Sequence, residues 1–143
     1  MIISPWVKLG VVSRLISDFG NALRHGVEIW IGYGMPDSSK HDDKSDPVAI
    51  KKLRQLKGCI DLIEFRKSPR EQGTHEKILI QDEDLCVIGS YNWLSYEARD
   101  NTRREMSILI KGKAHVEGFQ SQIMRQLRED GHLNDGENIA VGS

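Results

Sequence analysis

The chain has 143 residues, 38% hydrophobic and 29% charged, with 20 basic against 21 acidic side chains and a net charge of −1. This composition describes one globular domain able to bury its own core, and excludes a disordered chain or one that needs disulfides or metal as staples. It also excludes a global basic field, so any hold on nucleic acid is local, and no apolar run approaches the roughly 18 residues of a membrane span.

In chain order, residues 2–6 predict a short strand closed by Pro5. Val11, Val12, Leu15, Ile16, Phe19 and Leu23 fall on one face at helical spacing, with Gly26 placed as a left-handed stop. The β-branched and aromatic stretch 27–31 predicts a buried strand. Residues 34–46 are polar with Gly and Pro and predict a loop; their aspartates Asp37, Asp42, Asp43 and Asp46 do not have calcium-loop spacing. Asp46-Pro47 is an N-cap and first-turn pair, and Val48, Ile50, Leu53 and Leu56 continue as an amphipathic helix stopped at Gly58. A strand is expected over 59–65, then a basic loop over 66–73.

Three strand-like segments follow, 74–81, 85–89 and 105–110, the first two joined by the short Asp82-Glu83-Asp84 turn of an antiparallel hairpin. The last helix is expected over 113–129, with Val116, Phe119, Ile123, Met124 and Leu127 on one face. The order β-α-β-α-β-β-β-β-α predicts an α/β fold, a mixed sheet flanked by helices, over residues 1–129, followed by a polar tail over 130–143. Cys59 and Cys86 lie in apolar segments and are expected to be buried thiols; with no basic-then-apolar leader, the chain is expected to be cytoplasmic.

The chemistry concentrates in residues 74–93. Residues two apart on a strand share a face, so His75 and Lys77 are expected to point the same way. An imidazole and an ammonium aimed at one place suit an anion: one attacks or moves a proton, the other neutralises charge. The hairpin returns Ser90 and Asn92 to the same end as hydrogen-bond donors, and Gly89 permits close approach or an unusual φ. Such a cradle needs no metal and no cofactor.

These residues spell H-x-K-x4-D-x6-G-S-x-N, filled by His75, Lys77, Asp82, Gly89, Ser90 and Asn92. Chance would produce the match in a chain of this length with a probability on the order of one in a million. The sequence resembles the phospholipase D superfamily, the HKD phosphodiesterases. A weaker resemblance runs through Ile3-Ser4-Pro5-Trp6, His25-Gly26-Val27-Glu28-Ile29 and Arg104-Glu105-Met106-Ser107, so the chain corresponds to one HKD half-domain.

The resemblance implies that a motif histidine attacks phosphorus to form a phosphohistidine while a second protonates the leaving group. His75 would take either role, Lys77 and Asn92 would hold phosphate oxygens, and Ser90 would support the phosphate or the turn. Asp82 and Gly89 would be structural, and Glu105 would orient a histidine through its second ring nitrogen. Only one such motif is present: His25, His41, His115 and His132 are followed two places on by Val27, Asp43, Glu117 and Asn134. Completion would come from a second copy in a homodimer or from another half-domain.

Trp93 reads either as a base-stacking wall or as core, and Trp6 and Trp30 read as core. The 66–70 loop and the 99–104 segment, with Arg103 and Arg104, would line a phosphate backbone or form a solvated face. The reading reached is a metal-independent phosphodiesterase, with DNA or RNA as substrate and no integral membrane association. Its rivals are a phospholipid-processing enzyme and a non-catalytic nucleic-acid-binding or dimerisation module.

Overall fold

A computed structural model of the chain describes residues 1–35, 45–65, 72–96 and 104–133. The apolar stripe of the first helix becomes α1, Leu9–Arg24, and Gly26 lies just past its end with a φ of 81°. Glycine adopts that left-handed turn without a Cβ clash. Asp46 caps α2, Pro47–Arg54, by accepting from the Val48 amide at 2.8 Å. These helices are the crossovers that keep β1, Ile2–Ile3, β2, Ile29–Tyr33, and β3, Ile60–Glu64, parallel. Then β4, Ile78–Gln81, β5, Leu85–Gly89, and β6, Ser107–Lys111, follow antiparallel, and α3, Lys113–Glu129, closes the fold.

The result is a mixed six-stranded sheet in the order β3-β2-β1-β4-β5-β6, helices on both faces, as the alternation in the sequence predicts. Strand period divides the core in two. Ile29, Ile31 and Tyr33 face α1 and α2, where they meet Val12, Leu23, Ala49, Ile50 and Leu53. Trp30, Ile63, Ile78, Ile80 and Cys86 face α3, meeting Val116, Ile123, Met124 and Leu127. A strand covered on both sides reads as the unbroken run Ile29-Trp30-Ile31.

Several local expectations need correction. The first strand is only Ile2–Ile3: the Ser4 amide still bonds the Gly32 carbonyl at 3.0 Å, but Pro5 has no N–H to continue the ladder. The strand expected over 74–81 starts at Ile78. Cys86 is buried as expected, whereas Cys59 is exposed on the turn into β3. Packing also continues past Glu129, since Leu133 is buried in the α3-side core. The 36–44 part of the first loop, the 66–70 loop, Arg99, Arg103 and residues 134–143 lie outside the described residues.

Candidate active site

The carboxyl ends of β1 and β2, the start of β4, the end of β5 and the start of β6 meet at one end of the sheet. Ligands of open α/β sheets bind at such an end, outside the strands' carboxyl termini. The motif arrives there because the β4–β5 hairpin folds it in half. Asp82 and Glu83 carry φ of 49° and 58°, the positive values of a primed turn whose twist matches the flanking strands. Ile78 then pairs with Ile88, which sets Lys77 opposite Gly89 and brings the Gly89 amide to the Lys77 carbonyl at 3.3 Å. Asp82 stays at the far end of the hairpin, in its turn.

Gly89 is required by its neighbour strand. A Cβ there would overlap the Ser107 hydroxyl and the Met106 carbonyl across the β5–β6 pair. Its φ is not positive, so close approach, not an unusual backbone angle, is the reason for glycine. The tight pairing places Ser90 against the start of β6. The Ser90 amide donates to the Met106 carbonyl at 3.0 Å, the Met106 amide donates to Ser90 Oγ at 3.0 Å, and the Ser90 hydroxyl donates to the Glu105 carboxylate.

His75 and Lys77 are not on one regular strand face. His75 is exposed, while Lys77 is only 8% exposed and its Nζ donates to the His75 carbonyl at 2.6 Å. The lysine therefore bridges back over the segment that carries the histidine. Two ammonium protons remain for an anion. Loss of water around the buried ammonium lowers its pKa, and the nearby Glu105 carboxylate opposes that shift. Lys77, Ser90 and Glu105 are thus brought into one electrostatic unit. Glu105 is engaged by Ser90 and makes no hydrogen bond to His75 of its own chain.

Asn92 opens a turn, accepting from the Ser95 and Tyr96 amides at 3.2 and 3.1 Å, while its side-chain Oδ1 is buried without a partner. Ser4 anchors that turn. Its hydroxyl accepts from the Leu94 amide at 3.3 Å, and Leu94 in turn accepts from the Lys8 amide at 2.8 Å. Ser4 is fully buried, and a lone serine between apolar residues gave no sequence signal of this positioning role. Trp93 packs against the α1/α2 core and meets Tyr91 edge-on at 5.1 Å. Trp30 is core, whereas Trp6 is half-buried and donates through Nε1 to the Met35 carbonyl at 2.9 Å. Arg104 is exposed beside Glu105.

No remaining described histidine hydrogen-bonds to His75 or Lys77. His25 Nδ1 is 2.8 Å from the Asn21 carbonyl at the end of α1, His115 is exposed on α3, and His132 stacks edge-on with Phe65 at 5.1 Å. None joins His75 and Lys77 at the motif, and His41 lies outside the described residues.

The family model described as cardiolipin synthase, PLD-like domain, matches residues 2–129. Among solved structures the chain is similar to NucT from Helicobacter pylori, with 15% identity, a TM-score of 0.62, and coverage of 89% of this chain and 77% of that one. It is also similar to Nuc from Salmonella typhimurium, a phospholipase D family member, with 16% identity, a TM-score of 0.58, and coverage of 89% and 76%. No curated protein matches.

Proposed function

The chain belongs to the phospholipase D-like family, and on that premise we propose that it is a metal-independent phosphodiesterase that hydrolyses nucleic acid. The observation that carries the reading is the convergence at one end of the sheet of a buried ammonium, Lys77, with the Ser90–Glu105 pair and the exposed His75.

In this reaction a His75 ring nitrogen attacks phosphorus. The bond to the leaving oxygen breaks, and a second histidine, supplied by another copy of the chain or another half-domain, gives that oxygen its proton. Water then attacks the phosphohistidine, its proton passing to the same second histidine, and the His75–phosphorus bond breaks. Lys77 and the Asn92 side-chain amide hold the phosphoryl oxygens as negative charge builds on them. Ser90 fixes the Glu105 carboxylate at the start of β6, free to orient a histidine across a two-fold axis. Arg104, with Arg103 next to it in sequence, would hold backbone phosphates on either side of the scissile one.

His75→Ala is expected to abolish cleavage of an oligonucleotide in EDTA, and Lys77→Ala to reduce kcat by about a hundredfold to a thousandfold. Unchanged cleavage in His75→Ala, or complete inhibition of the wild type by EDTA, would overturn the assignment. A second reading, phospholipid processing, is favoured by the apolar rim beside Glu105, where Met106 is 81% and Ile108 66% exposed. It requires turnover of phosphatidyl vesicles with the same dependence on His75.

A further inference from the structure

Beside His75, between the lead-in to β4 and the end of α3, lies a cavity of about 240 Å³. Phe65, Ile123 and Leu127 give it an apolar lining, while Gln126 and Asp130 add an amide and a carboxylate. None of the motif's other side chains lines it, so it is separate from the Lys77–Ser90–Glu105 cluster. Its wall is built by backbone contact: the Thr74 amide donates to the Gly34 carbonyl at 2.7 Å, and Gly73, with a φ of 72°, leaves no room for a Cβ against Gly34.

We propose that this cavity is the subsite for a nucleobase of the strand whose phosphate His75 attacks. The choice of ligand rests on the nuclease reading; the shape and chemistry of the cavity are independent of it. An apolar cavity of roughly 150 Å³ holds benzene, so this volume accommodates a heteroaromatic ring system. Charge on the described lining disfavours phosphate. The described lining contains Glu76 and Asp130 and no lysine or arginine. One oxygen of Glu76 accepts from the Thr74 hydroxyl at 3.2 Å, and both carboxylates keep acceptor capacity for a ligand, Asp130 beside Gln126 at the end of α3.

A base removed from its stack is read through hydrogen bonds to its Watson–Crick edge while its ring packs on apolar side chains. Gln126 can both donate and accept, and the Asp130 carboxylate can accept from two adjacent N–H groups, such as N1–H and the exocyclic amine of guanine. Phe65 supplies an aromatic wall. A quaternary ammonium headgroup is better served by several aromatic faces, and Phe65 is the only Phe, Tyr or Trp among the described lining residues.

Titration of the isotope-labelled chain with guanosine, ribose 5-phosphate and choline, followed by amide NMR, tests the assignment without requiring turnover. Guanosine is expected to give saturable shifts at Ile123, Gln126 and Leu127 that ribose 5-phosphate does not reproduce. Asp130→Ala and Gln126→Ala, both at exposed positions, are each expected to weaken guanosine binding at least fivefold. The proposal is overturned if guanosine shifts none of these amides, if ribose 5-phosphate alone shifts them equally, or if both variants bind like the wild type. Choline binding without guanosine binding would also overturn it and make the cavity a lipid-headgroup site. Guanosine binding by a chain of dimeric mass that cleaves no oligonucleotide would leave the subsite standing and remove the nuclease reading. Cleavage without guanosine binding would do the reverse.

Discussion

The Lys77 ammonium is buried, donates to the His75 carbonyl, and has its pKa lowered by lost hydration, with the Glu105 charge opposing the shift. If protonated Lys77 is required, activity falls as pH rises through that pKa, so the alkaline limb should lie below the ordinary lysine value of 10.5. Glu105→Gln removes the opposing charge and should move the limb lower still. A pH profile of kcat/KM checks both statements, and a limb that moves upward in Glu105→Gln would contradict them. Ser90→Ala removes both the donor to Glu105 and the acceptor for the Met106 amide. Its expected cost is about 1 kcal/mol in chemical denaturation. At this scale the sequence was informative where spacing carried the meaning, as at Ser90 and Gly89. It placed Ser4 only within the weaker resemblance and gave it no role, because that role depends on Leu94 being brought beside it across most of the chain. It misjudged Cys59 because an apolar neighbourhood in sequence does not reveal that the residue lies on a turn ahead of its strand.

The β4–β5 hairpin is the element that makes the site, and its neighbour β6 constrains it. Gly89→Ala would push a methyl into the Ser107 hydroxyl and the Met106 carbonyl. Overpacking of this kind costs about 1–3 kcal/mol, and here it would also displace Ser90 from Glu105. Loss of stability and of activity together is therefore expected, measured by thermal melting and by turnover. Asp46→Ala offers the contrasting case. It removes the α2 cap, with an expected cost of about 1 kcal/mol and little change in kcat of the folded protein. The helices were legible because α1 and α3 present strong apolar stripes and α2 carries an Asp-Pro start. The beginning of β4 was not. Alternation continues through His75 and Lys77, yet the hydrogen-bonded ladder starts only where β1 is available to pair with it, at Ile78 opposite Ile3.

For the whole molecule, the six-stranded sheet gathers the motif at one end of its strands, while the described residues contribute a single histidine to it. A two-fold related copy would set two His75 side chains on opposite sides of one phosphate. Edge-to-edge pairing through β6 would instead leave β5 and β6 of both copies between the two β4 strands, more than 20 Å apart at about 4.8 Å per strand spacing. A catalytic dimer would therefore use the site end of the sheet rather than the β6 edge. The layers and topology were readable in the sequence because the strand and helix periods alternate and then cease to alternate. The placement of any partner was not, since it depends on a surface rather than on a periodicity.

The most direct test of the central claim is intact-mass spectrometry of the chain during turnover of an oligonucleotide in EDTA, with an alkaline quench to preserve phosphohistidine. The account predicts a covalent nucleotidyl adduct that maps to His75 and is absent from His75→Ala, together with loss of cleavage in that variant. Cleavage that persists in His75→Ala, or a wild-type chain of dimeric mass that forms neither adduct nor product, would contradict it.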